Sequence, residues 1–286
     1  MTKKKGGSLE EDGHNRTPFF GATEEFYTHL ARVFSEASTV YDARIQSNFV
    51  NRTIRDIEIH TILKYVHGAD CVLEIGCGTG EEARRVIFET GKKVEAIDIS
   101  EDMIAYASSK AAGSGIGDKF SAKVMAAMSV GSISRQFKLI YSLNGVLNTE
   151  PAITEFFSGI QKITESGSTL IFSFRNRFCL GESLILAITG KRRKISERRS
   201  ECVPVEVVGK TVMSRYYGVK EFLNLVPQDF NVQEKLGLAV FLPPYMAERI
   251  HGRLLMYIIS IAERLFCRLP LFNRSGDEVL YVLRKK

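Results

Sequence analysis

One segment of the chain reads Val72-Leu73-Glu74-Ile75-Gly76-Cys77-Gly78-Thr79-Gly80-Glu81-Glu82-Ala83. A short apolar run leads into three glycines at alternate positions, and good helix formers follow them. This order predicts a strand, a tight turn and a helix, the first unit of a doubly wound α/β sheet. Because glycine permits positive φ and places no Cβ in the path of a ligand, the turn is predicted to hold a small molecule.

The charges around the turn indicate which small molecule it holds. Glu81 and Glu82 open the helix, where a dinucleotide turn would place a pyrophosphate, and two carboxylates there repel a phosphate. The third glycine also comes one residue earlier than in the dinucleotide pattern. A second predicted strand ends at Asp98, 22 residues after Gly76, a spacing at which a carboxylate receives ribose hydroxyls. A nicotinamide or flavin site, or a turn without ligand, is the less favoured interpretation.

Ribose contacts without a pyrophosphate describe S-adenosyl-L-methionine. The stretch 73–80 resembles the first motif of the class I S-adenosylmethionine-dependent methyltransferases, and 97–100 followed by Met103 resembles the second. The likeness extends over residues 70–175 and is nearest to the small-molecule and quinone-type members. It implies S-adenosyl-L-methionine as cofactor, with apolar and backbone groups holding the adenine. The cofactor residues that it implies are Glu74, Gly76, Cys77, Gly78, Gly80, Asp98, Ile99, Met103, Ala126, Ala127 and Leu143.

Four further residues are assigned to the transfer step and the methyl acceptor. Tyr41 belongs to a Tyr-Asp segment like that of many relatives, in which the tyrosine closes over the methyl end of the cofactor. Asn148, after the fourth strand, is predicted to orient the acceptor and is grouped with Tyr41 as catalytic. Arg177 and Tyr245 are assigned to acceptor binding from their positions. No general base and no metal ligand are predicted, since direct displacement at a sulfonium requires neither.

The resemblance and the alternation of strands and helices predict a seven-stranded, mainly parallel, doubly wound α/β sheet with added lid elements. Three additions, at the N-terminus and after the fifth and sixth strands, are expected to roof the carboxyl edge with Phe, Tyr, Ile and Leu. The predicted organisation is a disordered tail at 1–20 and a single methyltransferase domain at 21–286, divided into an N-terminal helical lid (21–68), a cofactor-binding core (69–174), a lid insertion (175–218) and a C-terminal sheet part (219–286) with a helical insertion (243–276).

The amino-acid composition argues against a disulfide-rich, metal-binding or secreted protein. The chain has 286 residues, 44% of them hydrophobic, which is enough for a full core. Its five cysteines are odd in number and form no C-x-x-C pair, and its five histidines are scattered, so neither a disulfide framework nor a metal site is predicted. No apolar signal-peptide segment follows the N-terminal lysines. A cytoplasmic protein is expected.

The favoured function is methyl transfer to an O, N or C atom of a small, mainly apolar acceptor such as a lipid, quinone-like compound or natural product. Alternatives are an RNA methyltransferase that uses the basic run 191–199, a protein methyltransferase, and a non-catalytic module that binds S-adenosylmethionine. The net charge of +6 is modest, and nucleic acid is disfavoured as a partner. The basic run is interpreted first as a solvated lid connection and second as a peripheral contact with anionic membrane. The oligomeric state is left open.

Overall fold

The computed structural model describes residues 20–247 and 252–286. Seven strands form one sheet, and two more form a separate hairpin. In chain order the strands are β1 (Cys71–Ile75), β2 (Lys93–Asp98), β3 (Phe120–Val124), β4 (Leu139–Ser142), β5 (Thr169–Arg175), β6 (Cys202–Val207), β7 (Lys210–Arg215), β8 (Phe230–Leu238) and β9 (Glu278–Lys285). The sheet order is β3-β2-β1-β4-β5-β9-β8, and β6 pairs with β7.

Strands β1 to β5 are parallel to their neighbours, whereas β9 runs antiparallel to both β5 and β8. Strands β2 and β3 lie on one side of β1 and strands β4 and β5 on the other, and this switch in strand order creates a crevice at the carboxyl ends of the central strands. The structure therefore confirms the predicted mainly parallel, seven-stranded α/β sheet.

Eleven α-helices lie in the described part of the chain. They are α1 (Glu24–Ala37), α2 (Tyr41–Ser47), α3 (Phe49–Tyr65), α4 (Glu81–Thr90), α5 (Glu101–Gly113), α6 (Ile153–Lys162), α7 (Leu180–Ile188), α8 (Arg192–Arg198), α9 (Val219–Leu225), α10 (Pro244–Ala247) and α11 (Arg253–Phe266). Two short 3-10 helices, Ala127–Ser132 and Val146–Thr149, follow β3 and β4. The predicted tail at 1–20 falls almost wholly outside the described residues.

Polar side chains fix where the helices around the crevice begin. The Thr23 hydroxyl accepts a hydrogen bond from the amide of Phe26 at the start of α1, and the Ser100 hydroxyl accepts from Met103 at the start of α5. The Asn48 side chain accepts from two amides at the start of α3. Each cap satisfies amides that have no partner within the helix. The Ser100 cap was predicted.

Side-chain hydrogen bonds also hold the turns that precede α6 and α7. Before α6, the Glu150 carboxylate accepts from the amides of Met128 and Ala152 and holds the chain in a turn. Before α7, the Asn176 side-chain amide donates to three backbone carbonyls and holds the loop in place.

Both faces of the sheet are covered, as expected for parallel strands, and every residue of β1 and β4 is buried. Helices α3, α4 and α5 pack on one face. On the other face, α6 and α9 contribute to an aromatic cluster in which Phe222 stacks near Phe174 and Tyr281, with ring centroids 4.2 and 4.1 Å apart. These two layers hold the crevice rigidly between them.

Helix α11 packs against α3 and carries one buried acid. The Glu263 carboxylate accepts a hydrogen bond from the Phe241 amide at 2.8 Å, and burial raises the pKa of Glu263 from 4.5 to about 7. The folded protein therefore binds this proton more tightly than the unfolded chain does. It follows that the contribution of Glu263 to the free energy of unfolding falls as the pH rises from 4.5 to about 7 and changes no further above that value.

Glu263→Gln is expected to remove this part of the pH dependence, since glutamine does not ionise and still offers an oxygen to the Phe241 amide. At about 1.4 kcal/mol per pH unit, the variant should gain up to about 3 kcal/mol over the native protein between about pH 5 and pH 8. Urea unfolding at both pH values measures this difference. Glu165→Gln, at an exposed acid, is the control and should leave the two pH profiles parallel. Parallel profiles for Glu263→Gln as well would contradict the assignment.

Candidate active site

A cavity of about 680 Å³ lies at the carboxyl ends of β1, β2, β4 and β5. Its floor is formed by the glycine turn after β1 and by the ends of β2 and β4. Helices α1 and α2 and the β6–β7 hairpin line it from above. The volume lies within the range of about 300–1,000 Å³ that is usual for small-molecule sites.

The glycine turn has the geometry of a ligand cradle. Gly76, Gly78 and Gly80 all have positive φ, at 72°, 50° and 72°. A Cβ on Gly76 would lie 2.2 Å from a methyl carbon of Val146, so this glycine is required for packing. A Cβ on Gly78 would meet no atom within 4 Å and would project into open space beside the cavity that Gly78 lines. Gly78 therefore leaves room for a ligand.

Asp98 connects the turn to the cavity. Its Oδ2 accepts from the Gly78 amide at 2.8 Å and its Oδ1 accepts from the Ser100 amide at 2.9 Å. Burial raises the pKa of Asp98, although these backbone amides act in the opposite direction. A carboxylate has about four acceptor sites, so capacity remains toward the cavity. The position suits an acid that receives ribose hydroxyls.

Four other predicted cofactor residues also line the cavity, and their roles remain predictions. Ile99 and Met103 lie beyond β2, and Ala126 and Ala127 lie beyond β3. Met103 is held in place because its amide donates to the capping hydroxyl of Ser100. Together these residues give an apolar wall beside Asp98, suited to the face of an aromatic base.

The remaining predicted cofactor residues do not line the cavity. Glu74 points into the core beside Tyr141 of β4, and burial raises its pKa well above the ordinary value. A Cβ on Gly80 would lie 3.0 Å from Ala107, so this glycine allows α5 to pack closely. Cys77 and Leu143 are buried in the core cluster beneath the turn. These four residues therefore lie on the side of the strands and the turn that faces the protein core, away from the cavity.

Of the two predicted catalytic residues, Tyr41 lines the cavity and Asn148 does not. Burial raises the pKa of Tyr41, which therefore keeps its proton and can serve as a hydrogen-bond donor. Asn148 is fully buried: its Oδ1 accepts from the Arg175 amide at 2.8 Å and its Nδ2 donates to the Arg215 carbonyl. Both ends of the Asn148 side chain therefore join backbone segments, and its assignment to the acceptor stays a prediction.

Of the two residues predicted to bind the acceptor, Tyr245 lines the cavity and Arg177 does not. Arg177 lies outside the cavity wall, where its Nε donates to the Tyr216 carbonyl at 2.9 Å and its guanidinium pairs with Glu221 at 3.0 Å. The side chain thus connects the end of β5 to α9, and its assignment to acceptor binding stays a prediction. Tyr245 does line the cavity, and its hydroxyl donates to Glu182.

An ionic network on the cavity wall was missed from the sequence. The Arg175 guanidinium lies 3.4 Å from Asp277 and 3.8 Å from Glu278, and Arg198 pairs with Asp277 and Glu182 at 2.8 Å each. All five side chains line the cavity. Arg175 could have been found, because it ends β5 at the same edge at which Asp98 ends β2. Asp277 and Glu278 lie there because antiparallel β9 begins at that edge.

The predicted roof is confirmed in part. Helix α1 packs on the hairpin through Leu30, Val33 and Val212, and both elements line the cavity. Among the described residues of the third addition, Pro244 and Tyr245 of α10 line it, whereas α11 packs against α3. The inner surface is also less apolar than predicted, since the ionic network forms part of it.

Solved structures share this fold at low sequence identity. An S-adenosylmethionine-dependent methyltransferase from Clostridium acetobutylicum ATCC 824 matches with a TM-score of 0.53 and 14% identity, covering 82% of this chain and 91% of that one. Geranyl diphosphate C-methyltransferase from Streptomyces coelicolor A3(2) gives 0.53 and 11%, over 81% and 79%. The cyclase SpnF gives 0.54 and 17%, over 81% of each chain. A search of curated proteins finds no match to the chain.

The family model described as "Methyltransferase domain" matches residues 72–167, which run from β1 to the turn just before β5. These residues form a methyltransferase domain. The match confirms the family that the two motifs indicated, and the methyl donor of this class is S-adenosylmethionine. In the methyltransferase domain, the open face of Gly78 and the carboxylate of Asp98 both fit such a ligand.

Asp98→Ala is expected to weaken binding of S-adenosylmethionine to the methyltransferase domain by about ten- to a hundredfold, because a charged hydrogen bond is worth about 1.5–3 kcal/mol. Calorimetric titration with S-adenosylhomocysteine measures the affinity. Asp102→Ala is the control, because Asp102 is an exposed acid in the first turn of the following helix, and it should bind normally. Native affinity in a folded Asp98→Ala protein would exclude Asp98 from the ribose.

Proposed function

We propose that this protein transfers the methyl group of S-adenosylmethionine to an O, N or C atom of a small, mainly apolar acceptor. The observation that carries this proposal is the cavity over the glycine turn, which the chain covers with its own α1, α2 and hairpin. Such a cover admits a small molecule and excludes a folded polymer. The proposal treats residues 21–286 as one catalytic unit, since the cavity wall draws on residues from Tyr27 to Glu278.

The cofactor end of the cavity supplies binding and orientation. The open face of Gly78 receives the ligand, Asp98 accepts from its ribose, and Ile99, Met103, Ala126 and Ala127 enclose the base. When bound, S-adenosylmethionine supplies an electrophilic methyl group on a sulfonium. The protein's contribution to the displacement is then alignment of the acceptor with that methyl group, which can supply several kcal/mol.

Two polar side chains on the cavity wall can orient an acceptor atom that carries a proton and remove that proton. Tyr41 is protonated and offers a donor, so it orients the acceptor rather than removing a proton from it. Glu278 lines the cavity, its Oε2 has no hydrogen-bond partner within the described residues, and burial raises its pKa. A carboxylate in this state can take the proton that an O or N acceptor must lose.

The charges of the wall favour a neutral or cationic acceptor. Among the described residues the cavity is lined by seven carboxylates and four basic side chains: Asp98, Glu150, Glu182, Glu197, Glu206, Asp277 and Glu278 against Arg44, Arg175, Lys194 and Arg198. Two of the four cations already pair with these acids. A diphosphate such as the acceptor of the Streptomyces enzyme would therefore be repelled, and an RNA backbone likewise.

The proposal is tested by incubating the protein with methyl-labelled S-adenosylmethionine and a cell extract, then measuring label in organic-soluble, nucleic-acid and protein fractions. Label in the organic-soluble fraction is expected. Label in RNA or protein would overturn the choice of acceptor. An absence of label in every fraction, with cofactor binding shown by calorimetry, would favour a non-catalytic module. The Asp98→Ala protein, run in parallel, shows whether the labelling depends on this site.

A further inference from the structure

The outer face of α11 and the turn after it form an apolar surface. Nineteen large apolar side chains are exposed in the described part of the chain, and nine of them lie between residues 254 and 271. Leu254 is 73% exposed and Leu265 is 66% exposed. Scattered apolar residues are normal on a protein surface, whereas a concentration of this kind marks an interaction site. The nine are Leu254, Leu255, Tyr257, Ile258, Ile261, Leu265, Phe266, Leu269 and Leu271.

The helix presents these side chains on the side opposite its contact with the protein. At about 100° per residue, Leu254, Ile258, Ile261 and Leu265 fall within an arc of about 60°. The buried residues Met256, Ser260 and Glu263 lie on the other side. The exposed arc therefore does not help to pack α11 on the domain, and it remains available to a partner.

The charges of this segment are all of one sign at the surface. Between residues 252 and 274 the only acid is Glu263, which is buried and accepts from a backbone amide. The cations are Arg253, Arg264, Arg268 and Arg274, all exposed. Arg253 and Arg264 fall between the apolar arc and the buried face, along one edge of the helix, and Arg264 there also pairs with Asp56 of α3 at 2.8 Å. An apolar face edged with arginine is the pattern of helices that lie in a membrane interface.

We propose that α11 and the following turn, residues 253–274, dock this protein on an anionic lipid surface. The leucine and isoleucine side chains enter the region between headgroups and acyl chains, and the arginines contact the lipid phosphates. No helix within residues 20–247 or 252–286 is long and apolar enough to cross a bilayer, so the contact is peripheral. Helix α10, which lines the cavity with Pro244 and Tyr245, ends at Ala247, shortly before α11 begins at Arg253.

A second copy of the chain is a weaker choice of partner. A symmetric contact through this face would bring the arginines of both copies together. The segment has no exposed carboxylate to pair with them, and like charges at an interface oppose association. Anionic lipid satisfies both the apolar and the cationic parts of the surface.

Vesicle flotation tests the proposal with the full chain. Binding to vesicles of phosphatidylcholine with phosphatidylserine is expected, together with weaker binding to phosphatidylcholine alone and a loss of binding at high salt. Leu254→Ser with Leu265→Ser should weaken binding to both kinds of vesicle by about tenfold or more. Arg253→Gln with Arg268→Gln should weaken binding only to the vesicles with phosphatidylserine, by about tenfold.

Val124→Ser with Val232→Ser is the matched control, since both valines are exposed apolar residues outside α11, and it should bind vesicles as the native protein does. Thermal unfolding shows that each variant is folded. Failure of the native protein to float with any vesicle would overturn the proposal. So would a native dimer, seen by light scattering, that the Leu254→Ser/Leu265→Ser variant converts to a monomer. Neither outcome depends on methyl transfer.

Discussion

Gly78→Val is expected to abolish binding of S-adenosylmethionine, with a loss of affinity of more than about a hundredfold. The reason is the direction in which the new side chain would point. A Cβ at Gly78 meets no protein atom within 4 Å, and the residue lines the cavity, so the valine side chain would occupy the space of the ligand. Titration with S-adenosylhomocysteine measures the effect, and label transfer should fall in parallel.

The control must separate this steric effect from backbone strain. Valine at a positive φ costs about 1–2 kcal/mol wherever it is placed. Gly115 also has a positive φ, 72°, and also has open space around its Cβ position, but it lies in the loop after α5 and does not line the cavity. Gly115→Val should therefore lose a similar amount of stability and keep its affinity. If the two variants bind equally well, the turn does not hold the cofactor.

The parts of this site that could be predicted are those encoded by local sequence. An apolar run, a glycine turn and an acid 22 residues after Gly76 follow one another along the chain, and each sets its own geometry. Gly78, Asp98 and the residues after β2 and β3 consequently line the cavity, and their contacts with the cofactor stay predictions. Glu74, Cys77 and Gly80 belong to the same motif but face inward, because a motif match does not say on which side of the strand or turn a residue lies.

The parts that could not be predicted depend on contacts between distant segments. Asn148 follows β4 as an acceptor-orienting residue would, but the approach of β7 gives it a backbone partner 67 residues away. The ionic network joins residues from α7, α8, β5 and the start of β9, and nothing near Arg198 in the sequence distinguishes it from its basic neighbours. The structure shows that Arg198 is buried, although the run 191–199 was interpreted from the sequence as solvated.

Arg198→Met is expected to destabilise the protein by about 3–5 kcal/mol, the range for removing one partner of a buried ion pair. The Arg198 guanidinium pairs with Glu182 and Asp277, and it also donates to the carbonyls of Asn176 and Asp277. Methionine fills a similar volume but leaves the buried Glu182 carboxylate without a counter-charge, and Asp277 keeps only its contact with Arg175 at 3.4 Å. Urea unfolding measures the loss. Because all three charged side chains line the cavity, methyl transfer should fall as well.

Arg193 provides the comparison on the same helix. It is 92% exposed and pairs with Glu197 at 3.4 Å, so Arg193→Met should change stability by no more than about 1 kcal/mol. Adding Glu182→Gln to Arg198→Met removes the carboxylate that has lost its counter-charge, and the double variant should therefore be more stable than the sum of the two single effects predicts. Equal losses for Arg193→Met and Arg198→Met would mean that the run 191–199 is solvated throughout. A large loss at Arg198 alone would mean that this run anchors the cavity wall, which a nucleic-acid-binding surface would not do.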